Sequence, residues 1–222
     1  MTFPFPMMIV NSFVFTPPAT GPIVTFCGVQ DSGTSFSIGT ATADRVVIAL
    51  SAAVRGASTP RTLSSLVFDG AAGTTPTTTG VGAGSSSVTV GMSGKLITTG
   101  TTCTPTATYS GGVVSSKVAL FTITGQGTNT PGDTKAWKTG DAAATINVAA
   151  AGCVLMVAAG TDGSLGAFTL TGANVNDDNS YGGLATMQAA FGSVTNLSAD
   201  AARALAATNS NTVKAFVALT YS

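Results

Sequence analysis

The chain has 222 residues, of which only 8% are charged, against about 25% in an ordinary soluble domain. Nine Lys and Arg balance nine Asp, giving a formal net charge of zero, and there is no Glu and no His. This composition removes histidine acid–base chemistry and most zinc sites. It also argues against nucleic-acid binding, which needs a basic surface. The mean hydropathy is +0.42, yet no apolar run reaches the roughly 18 residues of a membrane-spanning helix.

Residues 1–22 form an apolar, proline-punctuated segment, with prolines at 4, 6, 17, 18 and 22. No positive charge precedes its hydrophobic part, so it does not read as a secretory signal. The prolines disfavour a helix, and an extended arm is expected. Phe3, Phe5, Met7, Met8, Phe13 and Phe15 would bind a partner surface, since such side chains are a liability when exposed. The other reading makes Met8 to Phe15 a first edge strand of the domain that follows.

Ile23 to Val29 and Thr34 to Thr40 are short strand candidates around a turn at Asp31-Ser32-Gly33. From Arg45 to Arg55 the alternation is clean. Val46, Ile48, Leu50, Ala52 and Val54 share one face, which reads as a half-buried strand with an arginine at each end. Thr62 to Phe68 returns as a strand and ends at Asp69-Gly70. Residues 71–87 read as a long Gly/Thr/Ser loop. Ser87 to Val90 and Lys95 to Thr99 read as a hairpin around Gly91 and Gly94.

Thr104 to Tyr109 leads into the central stretch, Gly112 to Gly125. There Val118 and Leu120 face one way, and Ala119, Phe121 and Ile123 the other. Two apolar faces predict a strand covered on both sides. Residues 126–140 read as a loop carrying the one tryptophan, Trp137. Ala144 to Val148, Cys153 to Thr161, Ala167 to Leu170, Leu184 to Phe191 and Thr212 to Tyr221 read as strands. Residues 173–181 read as a polar loop. Residues 197–207 fit either a short helix capped by Ser198 or an alternating strand.

About ten to twelve short strands with glycine turns and little helix predict an all-β fold. The expected form is an antiparallel β-sandwich, jelly-roll-like, over residues 23–222, with residues 1–22 as the extended arm. An aligned pair of Ig-like domains split near residue 126 is the alternative. The order Arg45–Leu50, Leu66–Gly70, Lys117–Gly125 resembles Cys153–Ala158, Phe168–Gly172, Lys214–Tyr221. It suggests pseudo-repeat halves at 23–125 and 126–222.

No catalytic set emerges. There is no Gly-x-Ser-x-Gly elbow and no phosphate-binding glycine loop, and a hydrolase would have to use two aspartates. No enzymatic activity and no cofactor are expected. Cys27, Cys103 and Cys153 read either as buried thiols or, the count being odd, as leaving one thiol for an intermolecular disulfide. The oxygen-rich cluster Asn174, Asn176, Asp177, Asp178 and Asn179 has calcium-type donors but lacks an EF-hand's glycine and distal glutamate. It reads more simply as a solvated loop. Trp137, between Lys135 and Lys138, is either a sugar-stacking platform or an aromatic packed over a sheet edge.

The phrases ADRVVIALSAAV, TLSSLVFDGAA, SSKVALFTITG, TNTPGDT and AAAGCVLMVAAG, in that order, resemble Gly/Thr-rich proteins encoded in the structural regions of tailed phages and prophages. The resemblance covers roughly residues 40–160. It implies a β-sandwich component of the virion. The expectation is a non-enzymatic subunit on the particle exterior, most simply a capsid decoration or cementing protein. Its partners would be other virion proteins of capsid or tail and further copies of itself, a trimer being favoured. A receptor- or carbohydrate-binding module of a tail fibre or adhesin is the alternative.

Overall fold

A computed structural model describes residues 21–162, 165–182 and 184–222. The proposed arm residues Phe3, Phe5, Met7, Met8, Phe13 and Phe15, and the alternative strand over 8–15, lie outside the described residues. The described chain is all-β, with eighteen strands and no helix. Among these residues no helix is therefore long and apolar enough to cross a membrane.

The first ten strands are β1 (Ile23–Asp31), β2 (Phe36–Ser37), β3 (Val46–Arg55), β4 (Leu63–Phe68), β5 (Ala71–Ala72), β6 (Thr77–Ala83), β7 (Ser86–Leu96), β8 (Thr102–Cys103), β9 (Pro105–Tyr109) and β10 (Ser115–Thr124). The remaining eight are β11 (Asp133–Lys138), β12 (Ala144–Val148), β13 (Gly152–Thr161), β14 (Thr169–Thr171), β15 (Asn174–Gly182), β16 (Thr186–Leu197), β17 (Asp200–Thr208) and β18 (Val213–Tyr221).

Two five-stranded antiparallel sheets carry the fold, in the orders β1-β10-β3-β7-β6 and β11-β18-β13-β16-β15. The second order repeats the first when each strand is counted from the start of its own half and the two-residue strands β5 and β8 are left out of the count. The phrases that echo one another in the sequence fall on β3 and β13, β4 and β14, and β10 and β18. The smaller sheets follow the same plan. The first half has β2-β8 and β5-β4-β9, and the second has a single sheet, β12-β17-β14.

Three apolar layers explain why the central strands look as they do. Inward faces of both large sheets share one core, with Ile48, Leu50 and Phe121 from one and Leu155, Val157 and Val217 from the other. A second layer, built on Val47, Ala49, Val118 and Leu120, lies between the first large sheet and its cover, where Leu66 and Phe68 meet it. A third, with Val154, Met156 and Phe216, lies under β12, β14 and β17. A strand with an apolar layer on each side is apolar at nearly every position. This holds for β3 and β13, which are buried from Val46 to Val54 and from Gly152 to Thr161.

The structure corrects several readings. β3 is buried on both faces rather than half-buried, because a cover lies over its outer side. Arg45, read as marking one end of a half-buried strand, is itself only 1% exposed. Residues 77–83, 133–138 and 174–182, read as loops, are the edge strands β6, β11 and β15. The supposed hairpin at 87–99 is one strand, β7. Its glycines mark close packing, not a turn. A Cβ on Gly91 would stand 2.4 Å from Leu63 Cδ2, and one on Gly94 2.6 Å from Ile48 Cδ1. Of the two readings of 197–207, the strand is the one found, at 200–208, and the strand count of ten to twelve was low.

Across the central core β6 lies against β11 and β18, β1 lies against β15 and β16, and β3 faces β13. Exchanging the halves turns the contacts of β6 with β11 and β18 into those of β15 with β1 and β10, which are also made. The two sheets are thus related by an approximate twofold axis through the central core. One edge of each large sheet is the first strand of its half, β1 or β11, and the other is a glycine-rich or polar strand, β6 or β15.

Candidate functional site

Each residue singled out in the sequence has a definite place. Trp137 is in strand β11, directly opposite Phe216 on β18. The rings stack with centroids 5.2 Å apart and planes 16° from parallel. The indole N–H donates to the Ala142 carbonyl at 2.9 Å, which fixes the ring's rotation. Trp137 remains partly exposed and packs against the outer layer of the second half. Trp137 and Phe216 wall a cleft of about 260 Å³, with Asp141, Leu205, Thr208 and Lys214 around it. Lys214 Nζ is turned inward and donates to the carbonyls of Asn209 and Asn211. Asp141 accepts from the Lys138 N–H at 2.9 Å.

Asp177 and Asp178 are on β15, far from this cleft in the strand order. Both carboxylates are occupied within the protein. Asp177 accepts from the Tyr181 hydroxyl at 2.7 Å and from the Asn179 amide at 2.9 Å. Asp178 accepts from the Phe168 N–H and from the Gln188 amide. Burial first, and then the Asp177 carboxylate it donates to, push the Tyr181 phenol well above its ordinary range. The cluster is thus a polar ladder on an edge strand. Among the described residues no group of three or more His, Cys, Asp or Glu could hold a metal ion. Trp137 and the Asp177–Asp178 pair, taken together as one ligand loop in the sequence, are not brought together.

The three cysteines are all unpaired thiols. Cys103 and Cys153 are fully buried. Burial pushes Cys103 up to about 12, helped by the nearby Asp69 carboxylate, and Cys153 up to about 11. Neither sulfur can reach another chain while the core is closed. Cys27 is partly exposed, and burial raises its thiol too. Of the three, Cys27 alone is placed where an intermolecular bond would not require opening the core.

Arg45 is the polar feature that sequence reasoning missed. Its Nε donates to Ile97 O at 3.0 Å. Nη1 donates to Ile38 O at 3.2 Å and Gly39 O at 3.0 Å. Nη2 donates to Thr99 O at 2.8 Å and Gly100 O at 2.9 Å. All five N–H groups of the guanidinium are therefore used, and the side chain ties the 38–39 turn to the 97–100 loop. Beside it opens a cleft of about 500 Å³ whose walls include Thr25, Cys27, Thr40 and Thr122. With every Arg45 donor already bonded to a carbonyl, this cleft has hydroxyls to offer but no free guanidinium for an anion. No signal in the sequence could have found the clamp, because its acceptors are backbone oxygens of distant loops.

Comparison with protein-family models finds no match, and no curated protein or solved structure is significantly similar to the chain.

Proposed function

We propose that the chain is a non-enzymatic structural subunit of a tailed-phage particle, placed on the exterior as a capsid decoration or cementing protein. The observation that carries this reading is the doubled sheet plan. Two halves of equal strand order are stacked into one body by a continuous apolar core, with very little charge in the chain as a whole. Such a body suits a passive, rigid building block. We read each half as jelly-roll-like. In a jelly roll the first and last strands are neighbours in one sheet and the connections cross to a facing sheet. Here β1 neighbours β10 and β11 neighbours β18, while β2, β4, β8 and β9, or β12, β14 and β17, form the facing layer. The resemblance of residues 40–160 to phage structural proteins points the same way.

The mechanism would be burial of apolar area against the shell and sister copies, repeated over a lattice so that weak contacts add up. A closed homo-oligomer, with a trimer favoured, fits that use. The test is assembly. Particles produced without the chain should take it up when it is added, co-sedimenting at a fixed copy number and exposing it to external protease. Failure to co-sediment would count against the reading.

One observation favours the carbohydrate-binding alternative: the Trp137–Phe216 wall of the second-half cleft, with Asp141 and Thr208 beside it. An aromatic face beside hydroxyl and carboxylate acceptors is suited to stacking a pyranose ring. Since Trp137 is the one tryptophan, its fluorescence reports on this cleft alone. Saturable change on titration with methyl glycosides, lost in Phe216→Leu, supports that reading, and a flat titration removes it.

A further inference from the structure

The outer edge of β1 differs from the other edges of the two large sheets. An open strand edge invites pairing with another chain, and proteins guard such edges with charge, proline or a covering loop. β11 carries Asp133, Lys135 and Lys138, and β15 carries Asp177 and Asp178. β6 is pressed by a loop: a Cβ on Gly82 would stand 2.0 Å from Ser58 O, and one on Gly80 2.8 Å from Pro60 Cβ. Among the described residues β1 pairs with β10 alone, and it has no charge and no proline from Ile23 to Gln30. Its one charge, Asp31, is taken by Lys117 at 2.6 Å. A bulge at Cys27, with Gly28 at φ 113°, interrupts the pairing with β10, but Ile23 to Phe26 run in regular register.

The apolar side of β1 is also incompletely covered. Val24, Phe26 and Val29 pack on the central core but stay partly exposed. A cleft of about 390 Å³ begins where the chain enters β1, at Gly21 and Pro22, and runs to Thr195 and Asn196 of β16.

We propose that residues 8–15 of one copy add a strand to the free edge of β1 in a neighbouring copy, so that chains join head to tail. The run MIVNSFVF has strand-forming residues and no charge, and it matches the edge it would join. The direction of the chain at Gly21 favours a neighbour over the chain's own edge. A Cβ on Gly21 would stand 2.0 Å from Ala151 O, and one on Gly125, just past β10, would stand 3.7 Å from Gly21 O. The chain therefore enters β1 from the β10 side, away from the free edge. A return to its own edge would have to reverse the direction that the chain has at Gly21 and Pro22. A head-to-tail contact is heterologous and closes into a ring when its rotation permits. This assembly mode does not depend on where the protein acts.

Two variants carry the test. One lacks residues 1–15 and keeps β1 intact. The other keeps the arm and carries Ile23→Lys and Thr25→Lys, both at exposed positions, which place charge on the acceptor edge. Sedimentation velocity should show a discrete oligomer for the intact chain and a monomer for each variant alone. Mixed in equal amounts, the variants should form a one-to-one dimer, since one supplies the arm and the other the edge. An intact chain that is monomeric, an oligomer that survives loss of residues 1–15, or a mixture that stays monomeric would overturn the proposal. A labelled peptide of residues 7–16 gives a second readout that does not require the lysine variant to fold. It should bind the arm-deleted chain saturably at one-to-one stoichiometry, and absence of binding would equally overturn it.

Discussion

The two halves share a strand order and differ in how each fastens its cover to its large sheet. In the first half the cover is split into β2-β8 and β5-β4-β9, and its fastenings are polar. Arg45 holds two loops through five carbonyls. The Tyr109 hydroxyl meets Ser51 Oγ at 2.6 Å beneath β9. In the second half the cover is one sheet, and an aromatic pair, Trp137 on Phe216, fills the equivalent margin. The comparison teaches that one topology accepts two chemistries. A continuous small sheet satisfies its own backbone groups. A broken one leaves loop carbonyls inside, and a buried cation with five donors satisfies them.

The largest effect should come from removing the clamp. Arg45→Met leaves several buried carbonyls without donors and should cost about 3–5 kcal/mol. Denaturant unfolding measures the loss. Hydrogen exchange should quicken around 36–39 and 97–103 while β12 and β17 keep their protection. The matching disruption in the second half is Trp137→Ala, expected to cost about 2–3 kcal/mol because the ring is only partly buried. Its exchange signature should be the reverse, confined to β12, β14 and β17.

Next is Ser51→Ala, which leaves the partly buried Tyr109 hydroxyl without that partner and should cost about 1–2 kcal/mol. Adding Tyr109→Phe should recover part of that loss, a coupling that a double-mutant cycle measures. No such coupling should join Ser51 to Trp137, which lie in different layers.

Much of this was legible in the sequence, for a physical reason. β3, β10, β13 and β18 are covered on both sides, so each reads as an unbroken apolar run. The echo of phrases between the halves is the trace of β3, β4 and β10 against β13, β14 and β18. The edge strands were not legible. β6, β11 and β15 pair on one side only, and their Thr, Gly, Asp and Asn look like loop composition. Gly91 and Gly94 misled for another reason. They are glycines because Leu63 and Ile48 approach the strand closely, and sequence spacing carries no trace of that approach. Trp137 was noticed, but its partner Phe216 lies across a strand pair distant in sequence.

A smaller effect separates the buried thiols by pH. Cys103 and Cys153 have folded values raised from 9.0 to about 12 and about 11. A raised folded value contributes stability that is full below the unfolded value and is lost as pH rises through the folded one. Stability should therefore hold below about pH 9 and decline toward pH 11 to 12. Tyr109, also raised by burial to about 12, adds to the decline above its ordinary value of 10.0. Cys103→Ala should flatten the slope more than Cys153→Ala, as measured by urea midpoints between pH 8 and 11.

Electron cryomicroscopy of particles assembled with and without this chain tests the central claim most directly. A regularly repeated extra density is expected on the particle exterior, into which the stacked pair of five-stranded sheets fits, present only when the chain is supplied. Identical maps, with the chain left in the soluble fraction, would contradict it.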